Sequence, residues 1–183
     1  NRTDQPVKVS VCGTIYNFTG FTSYDGYDRL YQDGVPVNSF IEKDGLSGLY
    51  FESSEIDTGS VNYGNLALFS SNEDITVKPY WQDGGWWDGA EEFWQNFSNT
   101  GRLTQCVRSE AVGSNVIASD APRKIGSVCA SEELAPGETK EFVFYIGWYF
   151  PNRYGWWPDG HCREEEKKQH NKIWQNYYST IWE

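Results

Sequence analysis

The chain has 183 residues, and 15 Lys and Arg against 26 Asp and Glu give it a formal charge of −11. That field repels a phosphate backbone, and the one cationic cluster, Arg163 with Lys167 and Lys168, is interleaved with Glu164, Glu165 and Glu166 as on a solvated helix face, so nucleic acid is not an expected partner. No apolar run approaches the roughly 18 residues a membrane-spanning helix needs, so no membrane span is expected, and no shift in composition divides the chain.

Turn-forming residues from Asn1 to Pro6 lead into a segment where Val7, Val9, Val11, Gly13 and Ile15 alternate with Lys8, Ser10, Cys12, Thr14 and Tyr16, the pattern of a half-buried strand. Asn17 to Gly45 is rich in Gly, Asp, Tyr and Asn without a sustained period, and reads as a long loop with at most a short hairpin. Strands follow at Leu46 to Glu52, Gly64 to Ser70 and Ile75 to Trp81. Ser71 to Asp74 makes a tight turn, so the last two are expected to form a hairpin, and Pro79 argues for an edge position because it cannot donate to a ladder.

Gln82 to Gly89 is a turn carrying Trp86 and Trp87, and Asp88 is placed to cap a short helix with Phe93, Trp94 and Phe97 on one face. Lys124 to Ser131 resumes strand character, and Pro136-Gly137 suits the central positions of a type II turn. From Lys140 to Arg153 the even positions Phe142, Phe144, Ile146, Trp148 and Phe150 are all large and apolar, which places them on one strand face, expected to lie in an inter-sheet core opposite Val7, Val9 and Val11. Glu164 to Tyr178 has helical composition with Ile173, Trp174, Tyr177 and Tyr178 on one side. A chain that starts at Asn1 and stops on such a helix is expected to be a piece of a longer protein.

The fold class that follows is all-β: an antiparallel β-sandwich with long loops, one short helix and a C-terminal helix. Residues 1–160 form the sandwich, without its first strands, and 161–183 a linker helix to a following domain. The cysteines Cys12, Cys106, Cys129 and Cys162 allow three full pairings, none of them in a C-x-x-C motif, and no pairing is derived. Sequons stand at Asn1, Asn17 and Asn96 and matter only in a eukaryotic secretory pathway; an extracytoplasmic or secreted setting is marginally ahead.

Asp83, Asp88, Glu91 and Glu92 beside Trp86 and Trp87 have the composition of a sugar site, where hydrolysis would need two carboxyl groups about 5 to 5.5 Å apart for retention or about 6.5 to 9.5 Å apart for inversion. Acids also fill turns and first helical turns, and that structural reading ranks ahead of a catalytic one. His161, Cys162 and His170 lack the spacing that puts ligands on one helix face, and neither a G-x-S-x-G elbow nor a G-x-x-x-x-G-K phosphate loop occurs, so no metal, cofactor or catalytic residue is expected. The loop tryptophans Trp86, Trp87, Trp156 and Trp157, and Trp174 with Tyr177 on the last helix, are the candidates for carbohydrate or interdomain contact.

Several segments resemble the non-lysosomal glucosylceramidase or bile-acid β-glucosidase-like glycoside hydrolases: Asn1-Arg2-Thr3-Asp4-Gln5-Pro6-Val7-Lys8-Val9-Ser10, then Tyr63 to Leu68, Leu134 to Glu141, Trp148 to Arg153 and Asn176-Tyr177-Tyr178. The matches run in the family's order across nearly the whole chain, although Phe21 to Asp44 aligns with no signature. The resemblance implies an N-terminal β-sandwich followed by an (α/α) toroid that holds the catalytic Glu and Asp of a retaining enzyme. No position here matches either catalytic motif. The chain is therefore expected to be a non-catalytic sandwich whose partner is the helical catalytic domain of the same polypeptide. A free-standing carbohydrate-binding module with a glycan as partner is the alternative.

Overall fold

The computed structural model describes residues 1–24, 30–81, 88–104 and 125–152. In chain order the elements are β1 (Val7–Tyr16), β2 (Phe21–Tyr24), β3 (Leu30–Gln32), β4 (Val35–Lys43), β5 (Leu46–Ser54), β6 (Asn65–Ser70), β7 (Ile75–Lys78), α1 (Asp88–Thr100), β8 (Ile125–Leu134) and β9 (Phe144–Tyr149). They build a three-stranded sheet, β1-β8-β7, a four-stranded sheet, β4-β5-β6-β9, and a β2-β3 hairpin. Every ladder is antiparallel.

The two larger sheets pack face to face as a β-sandwich. Leu49, Phe51, Leu68, Val77 and Val128 form its buried centre, with Ile15, Leu66, Ile75 and Phe144 against them. On β8 the even positions Gly126, Val128 and Ala130 face this core, and Ser127, Cys129 and Ser131 take the opposite face at the period of two. The turn into β9 is the expected type II: Glu138 N–H donates to the Ala135 carbonyl at 3.0 Å, and Gly137 sits at φ +79°, where a side chain would be strained.

Three expectations are corrected. The segment from Asn17 to Gly45 is not mainly loop, because it contains the β2-β3 hairpin and all nine residues of β4. The inward positions of β4 include Pro36 and Asn38, whose burial against neighbouring strands is invisible to a hydrophobic period. Strands β6 and β7 do not form a hairpin: β6 lies between β5 and β9, and β7 pairs with β8, so the turn at Ser71 to Asp74 crosses from one sheet to the other. Pro79 does follow an edge strand, as its missing N–H requires.

The third correction concerns the apolar strand. Regular pairing covers only Phe144–Tyr149, and of its expected inward face Phe144 alone packs on the core. The residue opposite it is Gly13, where an added Cβ would stand 3.3 Å from the Phe144 ring, and not Val7 or Val11, each 37% exposed. Ile146 pairs with Leu68 and Trp148 with Leu66, which puts both on the core side, yet they are 58% and 71% exposed. The cause is unequal strand number. Among the described residues a four-stranded sheet overhangs a three-stranded one, and no described strand lies across from Phe40 on β4 or from Ile146 and Trp148 on β9.

Candidate functional site

The outer face of the three-stranded sheet carries Ser10, Cys12 and Thr14 from β1, Ser127, Cys129 and Ser131 from β8, and Thr76 and Lys78 from β7. These are small or polar residues, yet Lys78, Ser127, Cys129 and Ser131 are almost wholly buried, because α1 and the turn after it cover them. Buried polar groups need partners, and the cover supplies them. Gly101 offers its carbonyl to Cys129 and Ser131 at 3.4 Å each, Leu103 N–H donates to Thr76 Oγ1 at 3.0 Å, and Trp81 Nε1 donates to Ser127 Oγ at 2.8 Å. The Trp81 ring then stacks on Phe93 with centroids 4.4 Å apart, and Phe93 stacks on Phe97. Thus α1 turns Glu92, Phe93, Asn96 and Phe97 inward; Trp94, expected on that face, is instead 63% exposed and touches Phe97 from the side.

This arrangement decides the role of one candidate acid. Glu92 Oε2 lies 2.8 Å from Lys78 Nζ, whose side chain is 1% exposed, and Asn96 also donates to Glu92. A carboxylate so engaged holds the helix to the sheet. Glu91 is exposed and accepts from Gln95 at 3.0 Å. Among the described residues there is no group of three or more His, Cys, Asp or Glu able to hold a metal ion. Lys78→Met alone is expected to cost roughly 2 to 4 kcal/mol by taking the buried cation away from Glu92, which retains the Asn96 Nδ2 donor and keeps a fifth of its side chain in water. Lys78→Met combined with Glu92→Leu should recover most of that. Urea denaturation of the two variants checks it, and a double variant no better than the single one would remove the ion pair from the account.

A second buried polar cluster joins the sheets at one end of the sandwich. Asn17, fully buried, donates through Nδ2 to Asn38 Oδ1 at 2.9 Å and to the Glu52 carbonyl at 3.0 Å, while its Oδ1 accepts from Thr19 N at 3.0 Å. Gln32 Nε2 donates to the Asn17 and Thr19 carbonyls. Asn38 N–H donates to Tyr80 Oη at 2.7 Å and Asn38 Nδ2 to the Pro79 carbonyl at 2.6 Å. Burial pushes the Tyr80 phenol above its ordinary pKa, so it stays neutral. The amide nitrogens of the other two sequons are also engaged: Asn1 Nδ2 with the Gln5 and Leu134 carbonyls, and Asn96 Nδ2 with Glu92. These sequons are therefore structural elements, which the triplet alone does not reveal.

Trp86, Trp87, Trp156, Trp157, Trp174 and Tyr177 all lie outside the described residues, as do Asp83, Cys106, His161, Cys162, His170 and the linker helix expected over 161–183; α1 begins at Asp88, whose side chain is likewise not described. The feature that sequence reasoning missed is the exposure of Ile146 and Trp148, since alternation alone marked them as core. No helix among the described residues is long and apolar enough to cross a membrane.

Comparison with curated proteins returns no match. The family described as "beta-glucosidase 2, glycosyl-hydrolase family 116 N-term" matches residues 1–183. A family match over the whole length of an antiparallel sandwich places this chain in that family: it is a glycosyl-hydrolase family 116 N-terminal domain of the beta-glucosidase 2 type.

Proposed function

We propose that the chain is the non-catalytic β-sandwich of a retaining β-glycoside hydrolase of the β-glucosidase or glucosylceramidase-like kind. It flanks and supports the cleft of a helical catalytic domain on the same polypeptide. The observation that carries this reading is the family match across residues 1–183. Support comes from Glu92, which is engaged by a buried lysine and not free for acid or base work. The sandwich occupies residues 1–160, with 161–183 as the linker helix. The contact with the next domain uses Trp156, Trp157, Trp174 and Tyr177 together with Ile146 and Trp148, which stand exposed on β9.

The purified chain is expected not to turn over an aryl β-glucoside that the whole enzyme hydrolyses. Trp148→Asp should lower the melting temperature of the whole enzyme and leave that of the isolated chain unchanged, because the side chain is already in water there. Turnover by the isolated chain, lost on Glu91→Gln or Glu92→Gln, would overturn the reading. Retention of the isolated chain on an immobilised β-glucan, lost on Trp86→Ala or Trp156→Ala, would replace it with a carbohydrate-binding module.

A further inference from the structure

The covered face of the three-stranded sheet contains a pair of thiols directly opposite one another. Cys12 and Cys129 are register partners in the β1-β8 ladder, and both are free. Their type of pairing follows from the other edge of β8. Ser131 N–H donates to the Asp74 carbonyl, towards β7, at 2.9 Å, and the Ile125 carbonyl accepts from Trp81 N–H on the same side. In a strand the N–H and C=O of one residue point the same way and alternate along the chain, so Ser127, Cys129 and Ser131 all direct their backbone groups to β7. Their pairs with β1 are therefore non-hydrogen-bonded pairs, the closer kind, with Cα atoms about 4.5 Å apart. That lies within the roughly 4.4 to 6.8 Å span of disulfides. The neighbouring pairs of the same kind show how near the side chains come: Ser10 Oγ and Ser131 Oγ are 2.9 Å apart, and Thr14 Oγ1 and Ser127 Oγ are 2.8 Å apart.

The geometry points to Cys12 and Cys129 as a disulfide-forming pair that staples β1 to β8, selected from the three pairings the four cysteines allow. In the reduced state the thiols turn apart, Cys12 Sγ to Thr14 and the Gly13 carbonyl, and Cys129 Sγ to the Gly101 carbonyl, so closure requires side-chain rotation and no new strand register. Cys12 is half-buried and Cys129 fully buried, so a small disulfide meets Cys12 first. The Cys12 thiolate attacks one sulfur of oxidised glutathione and releases one glutathione thiolate; the Cys129 thiolate then attacks the Cys12 sulfur and releases the second. Two protein thiols become one disulfide, one oxidised glutathione becomes two reduced, and the two protons pass to the departing thiolates.

The surroundings keep the reduced pair quiet. Burial pushes the Cys12 thiol up to about 11, with Cys129 adding to the rise and hydrogen bonds from Thr14 and Ser127 opposing it. Burial likewise raises Cys129, against Ser131, Thr76 and the Arg102 guanidinium, with Asp74 acting in the same sense as burial. Closure is therefore slow at neutral pH and depends on a sustained oxidising environment.

The test is linkage mapping on the full chain after long incubation with oxidised glutathione, blocking of remaining thiols, and non-reducing peptide mass spectrometry. The expected result is a Cys12 peptide joined to a Cys129 peptide, together with a rise in melting temperature of roughly 10 °C that a reductant reverses, the scale expected for closing a loop of about a hundred residues. Cys12→Ser, flanked by hydroxyl pairs that it can join, should fold and lose both effects. A glutathione adduct that stalls on Cys12, linkage of either residue to Cys106 or Cys162, or two thiols that block only after denaturation would each overturn the proposal, and none of these outcomes depends on a variant folding.

Discussion

Gly48→Ala is expected to leave the chain unable to fold. Gly48 sits in the central strand β5, paired with Ile41 on one side and Phe69 on the other, and a Cβ built there would stand 2.6 Å from Phe69 Cα and closer still to the Leu68 carbonyl oxygen. Those atoms are backbone of β6, and β6 is itself held by β9, so neither neighbour can move without breaking a ladder. Overpacking that side chains can absorb costs about 1 to 3 kcal/mol; one that displaces paired backbone exceeds this and approaches the whole stability of a domain. Gly45→Ala is the control. Gly45 also has an unusual backbone, φ +79°, but open space around it, so only the conformational cost of about 1 kcal/mol applies. Soluble yield and a cooperative thermal transition measure both. A Gly48→Ala protein that melts within a few degrees of the parent would show that β5 and β6 are not packed as described.

Asn17→Ala should be the most damaging change among the polar residues. It removes both ends of a buried amide and leaves Asn38 Oδ1, the Glu52 carbonyl and Thr19 N–H short of a partner. At about 1 to 3 kcal/mol for each group stranded, with some relaxation, the loss is on the order of 3 to 5 kcal/mol and about 10 °C in melting temperature. The same geometry forbids a sugar on this nitrogen in the folded state, because both of its hydrogens are committed. Expressed through a eukaryotic secretory pathway, folded protein should carry no glycan at Asn17. A folded population with Asn17 occupied, found by glycopeptide mass spectrometry, would contradict the network.

The clearest strands to read in advance were those with one face plainly apolar and the other plainly not. Segments β1, β5 and β7 met that condition, while β6, β8 and β9 were legible from runs of strand-forming residues on both faces, and the type II turn at Pro136-Gly137 announced itself through residues that such turns favour. Strand β4 did not, because Pro36 and Asn38 occupy its buried positions and are held by hydrogen bonds and an edge location, to which a hydrophobic period is blind. The partner of each strand was less accessible still. Ser71 to Asp74 has hairpin chemistry, but a short turn is equally able to cross between stacked sheets, and only the two facing layers decide which. For the candidate site, composition placed acids and tryptophans together around Asp88, and it could not say that Glu92 would be drawn to a lysine on β7, because that pairing spans two elements. The exposure of Ile146 and Trp148 depends on how many strands stand in the opposite layer, a property of the whole assembly and not of β9.

The pairing of β1 with β8 has a consequence for biosynthesis. Val7 lies opposite Leu134, and Asn1 N donates to the Glu138 carbonyl, so the earliest of the described strands to leave the ribosome pairs with almost the last one. At about 5 to 20 residues per second the nascent chain carries β1 without its ladder for on the order of ten seconds. The four-stranded sheet draws β4, β5 and β6 from neighbouring stretches and can assemble in the meantime, while the three-stranded sheet waits for β8, its central strand. Contacts this distant in sequence are also the slow ones to form once the chain is free. During that interval the alternating valines of β1 are the segment a chaperone would find exposed, with Lys8 the charge that interrupts them.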